Sequence, residues 1–277
     1  MFAFNNVPVG RLDATVNAWS PDDALQYGVE SWSLRQMQTQ DDAVRDPSLA
    51  RGLRIALAGV KTAYAPNVAV SSAAVVPTEN LKKNKIQLRG TSIYRNTEAP
   101  ADGVFLNRDE AVVMSGSGCP IIIATAGRRM VVAHAGRDSL IERSAVLGMP
   151  TRRHVSVVNA IIEALLGKGE PLNGIVMCML CSVPAELFEH RFDHPQYGSF
   201  NRALGDFVDA RWPGCTTRRG NVAVFLNLES VFTAQALEAG VWHTWAMSSL
   251  RDYTALAHTR DGKCPSRRNL FVVKRNT

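Results

Sequence analysis

Two side chains in this sequence, the thiol of Cys119 and the imidazole of His134, are spaced to act together. They lie 15 residues apart, and their midpoint falls between Ala126 and Gly127, in the turn-forming run Ala126-Gly127-Arg128-Arg129. Apolar stretches flank that run, so an antiparallel hairpin folded about it sets the two residues opposite or nearly opposite each other. Side chains paired in this way start from Cβ atoms about 5 Å apart, and a longer turn would offset them by one pair. A thiolate is a nucleophile, and a neighbouring imidazole can take its proton and later return it to a leaving amine. Ser115-Gly116-Ser117-Gly118, just before the cysteine, offers backbone amides that can receive a developing negative charge. Against this stands a plain alternative, in which the cysteine packs in the core and the strand histidine is merely hydrogen-bonded.

The other cysteines and histidines carry less. Cys178 and Cys181 have CxxC spacing, but they sit in an apolar strand with no second pair at metal-ligand spacing, which points to core packing. Cys215 and Cys264 stand alone in loops. His190 and His194 are four apart, yet Pro195 follows at once, so a solvated loop is expected there rather than a helical metal site. His243 and His258 have no partner by spacing, although His258 precedes the polar run Arg260-Asp261-Gly262.

The elements that must hold the hairpin are readable from periodicity. Residues 111–114, 120–125 and 130–135 are three short apolar strands in quick succession, and residues 71–76, 85–94, 174–180, 222–228 and 269–274 read as further strands. Residues 155–166 form the clearest helix, ended by Gly167-Lys168-Gly169. Residues 48–60, 200–210 and 230–239 are also helical by pattern, with Gly59 and Gly240 as stops. The first fifty residues are polar and irregular. No fixed repeat and no linker-like stretch appears, so one α/β (α+β) domain is expected.

Composition narrows the function classes. Of 277 residues, 46% are hydrophobic and 20% charged, the reverse of a disordered chain. The longest apolar runs fall far short of the roughly 20 residues that cross a bilayer, so no membrane role is expected. The first ten residues show no secretory signal and the five cysteines are an odd number, which together suggest a reducing, cytoplasmic setting with unbridged thiols. The net charge is +6. It is scattered in pairs such as Lys82-Lys83 and Arg218-Arg219 without interleaved aromatics, which argues against a nucleic-acid partner.

The run Cys119 to Arg137 (CPIIIATAGRRMVVAHAGR) resembles the core signature of the laccase-domain, polyphenol-oxidase-like (YfiH-type) proteins. In that signature a cysteine opens one strand and an alanine-histidine-alanine-glycine run closes the next. Gln87-Leu88-Arg89-Gly90 falls where the family has Gln-Val-His-Gly, and Ala101-Asp102-Gly103 matches an alanine-aspartate segment. Residues 228–241 resemble the family's late helix, and His258 to Gly262 with Arg267-Arg268 resembles its C-terminal segment. The resemblance spans residues 70–275 or so, leaving residues 1–70 as a divergent N-terminal segment packed on a domain of residues 71–277.

The resemblance implies a single-domain mixed β-sheet sandwich flanked by helices, a pocket holding a cysteine and two histidines, zinc or copper associated with those three, and activity on purine nucleosides. Carried over by position, Cys119 and the second histidine, His134, are present. Arg89 replaces the first histidine, and Gly118 replaces an acidic residue. Arginine stays protonated and has no lone pair to give a metal, so Cys119 and His134 are the only ligand candidates left by this match. The expected site is therefore Cys119 and His134 as catalytic pair, with Arg89, Ser117, Gly118, Asp102, Arg137 and Arg260 binding substrate or phosphate. Ser117-Gly118-Cys119 is also similar to the Ser-Gly-Cys run of cytotoxic necrotizing factor-type glutamine deamidases, metal-free effectors with a protein substrate. A third reading, motivated by Arg89 and Gly118, is a relative without catalysis that serves as a binding or assembly subunit.

Overall fold

A computed structural model describes residues 5–9, 14–19, 53–68, 73–88, 90–96, 98–116, 119–151, 154–247 and 269–275. Within these, two large sheets lie face to face and helices cover the outer face of one of them.

The first sheet has the order β1 (Asn5–Val9), β2 (Ala14–Trp19), β16 (Asn269–Arg275), β8 (Glu110–Gly116), β3 (Thr62–Tyr64), β6 (Thr91–Arg95) and β5 (Asn84–Leu88). The second runs β15 (His243–Met247), β11 (Val176–Leu180), β9 (Ile121–Ala126), β10 (Arg129–His134), β7 (Gly103–Leu106) and β4 (Val75–Val76). A small third sheet joins β12 (Glu189–Arg191), β14 (Ala223–Leu226) and β13 (Thr216–Arg219). Beyond β10 the described α-helices are α1 (Arg137–Leu140), α2 (Arg143–Val146), α3 (Val157–Leu166), α4 (Gly198–Arg211) and α5 (Leu228–Glu238).

Period-2 alternation explains the layering. Along β9, Ile122, Ala124 and Ala126 face a core shared with Val158, Ile161 and Leu165 of α3 and Val231 and Phe232 of α5. The alternate residues Ile121 and Ile123 face the first sheet, packing with Tyr64, Val112, Met114 and Phe271. A strand buried on both faces reads as one unbroken apolar run, and Ile121 to Ala124 does. On the far side of the first sheet, Leu53, Ala56 and Leu57 close a third core over Ile86, Ile93, Val113 and Val272.

Local chemistry fixes the ends. Ser156 caps α3, its hydroxyl accepting from Asn159 N, and the Asn227 side chain caps α5 by accepting from Ser230 N. The β9–β10 hairpin turns on Gly127-Arg128, with Gly127 at φ +50°, the sign a tight hairpin demands at its first turn position. Where the sequence suggests one strand over residues 85–94, the chain instead folds back as β5 and β6, antiparallel, around Gly90 at φ +89°. Of the helical pattern over residues 48–60, residues 48–52 lie outside the described residues, 53–56 are helical, and a turn closed by Gly59 at φ +81° follows. His190, expected in a solvated loop, lies in β12, 1% exposed and edge-on to Phe188. No helix among the described residues is long and apolar enough to cross a membrane.

Candidate active site

Pairing across β9–β10 sets the site. Ile121 faces His134 in the ladder, and the Ala135 amide donates to Pro120 O at 2.8 Å, so the register continues past the strand ends. Cys119 then lies two residues beyond His134's partner and on the same face, a diagonal rather than a direct pair. The turn is the expected run Ala126 to Arg129, centred on Gly127-Arg128 rather than on the Cys119–His134 midpoint, so the two residues are offset by one pair. Diagonal neighbours remain within reach of long side chains, and the Cys119 sulfur and His134 imidazole are hydrogen-bonded. Cys119 is half-buried and not in a disulfide; His134 is 8% exposed.

The other edge of the imidazole is held from β7. The His134 amide donates to Asp102 O at 2.7 Å, and the ring Nδ1 lies 3.2 Å from Asp102 Oδ1. Asp102 Oδ1 also accepts from Ser139 Oγ at 3.1 Å, and Oδ2 accepts from the Ala73 amide at 2.6 Å. A carboxylate 0% exposed and bonded on both oxygens faces protein, not substrate. That corrects the expected place of Asp102: it stands behind His134 and fixes its Nδ1 edge, leaving Nε2 to the sulfur.

The strands approach closely enough that glycine is needed at two points. A Cβ on Gly103 would sit 2.9 Å from Val75 Cγ2 and 3.0 Å from Ala133 Cβ. A Cβ on Gly136 would lie 2.8 Å from His134 Cε1 and 3.1 Å from Cys119 Sγ, so the backbone at the start of α1 forms one wall of the pair.

Electrostatics favour a charged imidazole. Burial pulls the His134 pKa down, but attraction to a negatively charged Cys119 sulfur, hydrogen bonds to Asp102 and Cys119, and the Asp102 charge together raise it to about 10. A thiol, an imidazole and a carboxylate placed in this order are the groups from which a nucleophile and a proton can be delivered at one point.

Of the remaining expected residues, Arg137 is placed next to Gly136. Its side chain is 9% exposed, its Nε donates to Asp138 Oδ1 at 2.6 Å, and its guanidinium lies 5.2 Å from the Phe200 ring centre. That engages its Nε and one face with protein groups. Arg89, Ser117, Gly118 and Arg260 lie outside the described residues. Ser139 and Gly136 carried no signal in the sequence beyond their nearness to His134, because a single hydroxyl and a single glycine match no motif. Cys178 and Cys181 are buried in the core between the sheets, where desolvation pushes the Cys178 thiol up to about 12 and Cys181 upward too. Cys215 is likewise buried, and burial raises it.

Three solved structures share this arrangement of strands and helices. The YlmD protein from Geobacillus stearothermophilus superimposes with a TM-score of 0.64 at 13% identity, covering 100% of both chains. The fold is the YfiH type. A hypothetical protein YfiH from Bacillus licheniformis gives a TM-score of 0.58 at 10% identity, over 84% of this chain and 81% of that one. Neisseria meningitidis protein NMB0706 gives 0.58 at 13% identity over 99% of each. No protein-family model matches the chain, and no curated protein is matched by its sequence.

Among the described residues no group of three His, Cys, Asp or Glu side chains is placed to hold an ion. His134 Nδ1 is taken by Asp102, and the position matched to a third ligand is Arg89. Cys119 and His134 alone do not make the three-ligand set of a catalytic zinc. Among the described residues, the donors do not make up the ligand set of zinc or copper.

Proposed function

We propose that this YfiH-fold protein is a thiol-dependent hydrolase that releases ammonia from the amino-bearing carbon of a purine nucleoside. The observation that carries the reading is the position of His134, hydrogen-bonded to Cys119 on one edge and to buried Asp102 on the other. In this scheme the Cys119 thiolate adds to the electrophilic ring carbon that bears the amino group, forming a C–S bond. His134 passes its proton to the amino nitrogen, which leaves as ammonia and restores the unsaturated ring. Water then adds to the same carbon as His134 takes one of its protons, the C–S bond breaks, and the thiolate is regenerated beside the imidazolium. Asp102 keeps the imidazole oriented through both half-reactions, as a carboxylate does in nucleophile–histidine–acid triads. Arg89, where the resemblance has a histidine, holds a substrate oxygen or phosphate.

Incubation of the purified protein with adenosine, inosine and phosphate, beside a Cys119→Ala variant, tests this directly. Ammonia and inosine from adenosine, lost in the variant, is the expected result. No product from wild type, or equal product from both, would overturn it.

The run Ser117-Gly118-Cys119 motivates a second reading with the same chemistry, hydrolysis of a protein glutamine side chain. A carboxamide carbon takes a thiolate in the same way and loses ammonia to give a thioester that water cleaves. Its mark is a one-dalton gain on a protein substrate, abolished by Cys119→Ser.

A further inference from the structure

Away from the Cys119 pair, a cavity of about 480 Å³ opens among α1, α2, α3, α4 and α5. Its walls are mainly apolar, with Ile141, Ala145, Val155, Phe207 and Trp212, and Arg211 pairs with Glu238 at 3.2 Å beside it. Cys119, His134 and Asp102 do not line it. The size and the apolar lining are those of small-molecule sites, which add a few placed polar groups for orientation.

Two such groups are present and unsatisfied. Trp212 Nε1, a donor, and Gln235 Oε1, an acceptor, are buried on lining residues without a hydrogen-bond partner among the described residues. Native interiors rarely leave such atoms unpaired. The rest of each residue is anchored: Gln235 Nε2 donates to Leu140 O at 2.7 Å, and the Trp212 ring stands edge-on to Phe207 at 6.0 Å between centres.

We propose that this cavity is a second ligand site, taking a planar, uncharged molecule with a carboxamide-type edge. Its N–H donates to Gln235 Oε1 and its carbonyl accepts from Trp212 Nε1. The aromatic wall of Phe207 and Trp212 suits a flat ring. Arg211 is already neutralised by Glu238, and Glu142 also lines the cavity, so an anion is disfavoured. The site adjoins the catalytic region through α1, which carries both Leu140, the acceptor of Gln235, and Ser139, the donor to Asp102.

The experiment uses the full chain labelled with nitrogen-15 and follows its indole N–H resonances, with Trp212→Phe assigning the relevant one. Benzamide, benzoate and toluene are titrated to about 10 mM, a range that reveals millimolar binding. Benzamide is expected to shift the Trp212 resonance saturably. Toluene, which fills the space without a polar edge, and benzoate are expected to bind at least tenfold more weakly. Gln235→Met should weaken benzamide about tenfold, the effect of leaving a buried polar ligand group unpaired. Ala145→Leu, which enlarges a lining side chain and alters neither polar group, should abolish binding and keeps the test open should Gln235→Met fail to fold. No saturable shift with benzamide, equal binding of toluene, or an undiminished affinity in Ala145→Leu would overturn the proposal. The first of these is the result for a cavity that holds only water.

Discussion

His134 Nδ1 lies 3.2 Å from Asp102 Oδ1, a contact made between residues 32 apart in sequence and buried under two further bonds to the same carboxylate. The Asp102 charge therefore works on one side of the imidazole while Cys119 works on the other. Asp102→Asn keeps the size and removes the charge. Ammonia release is expected to fall on the order of a hundredfold or more, as when a triad loses its acid. Steady-state rates of the two proteins check it, and a loss under threefold would mean that the carboxylate only fills space.

The raised His134 pKa also predicts a pH dependence. In the unfolded chain the group titrates near 6.5, and in the folded chain near 10. A group raised on folding contributes stability that is fully present below the unfolded value and is lost as pH rises through the folded one. Melting temperature measured between pH 6 and 11 should fall more steeply in wild type than in His134→Asn. Parallel curves would contradict the charged imidazole. By NMR, the His134 ring should titrate far above neutral pH in wild type and markedly lower in Cys119→Ala, which removes the largest of the raising interactions.

Gly136 is the backbone wall of the pair. Its φ of −62° and ψ of 166° suit any residue, so Gly136→Ala imposes no backbone strain, and its whole effect comes from the added methyl. That methyl meets His134 Cε1 at 2.8 Å and Cys119 Sγ at 3.1 Å. Alkylation of Cys119 should slow about tenfold, with a stability loss of about 1–3 kcal/mol from overpacking. Unchanged alkylation would show that the pair is not built against this wall.

A remote control separates stability from chemistry. Ser156→Ala removes the cap that accepts from Asn159 N at 3.2 Å and should cost about 1 kcal/mol. Thermal melting should drop by a few degrees. Cys119 reactivity should stay at the wild-type value.

Much of this was legible from local pattern, and the misses share a cause. Strands β8, β9 and β10 and helices α3, α4 and α5 fall within a few residues of their sequence signals, since each carries its own apolar periodicity. The strands β1 and β2 were not legible. Asn5-Asn6-Val7-Pro8-Val9 has no strand composition of its own, and it is a strand through pairing with β2, which in turn pairs with β16 from the far end of the chain. The same is true of β3, three residues held between β6 and β8. The proximity of Cys119 and His134 was legible because one hairpin carries both. The place of Asp102 beside His134 was not, because it depends on β7 lying beside β10, a long-range pairing that no spacing along the chain encodes.

The central claim is that Cys119 stands as a thiolate paired with a protonated His134. The rate of Cys119 alkylation by iodoacetamide as a function of pH, read by mass spectrometry on the intact chain, tests it most directly. Wild type is expected to react at a nearly constant rate from about pH 6 upward, while His134→Ala should gain reactivity only near the ordinary thiol value of about 8.5. A wild-type profile that rises only in that alkaline range, or coincides with the variant's, would contradict the account.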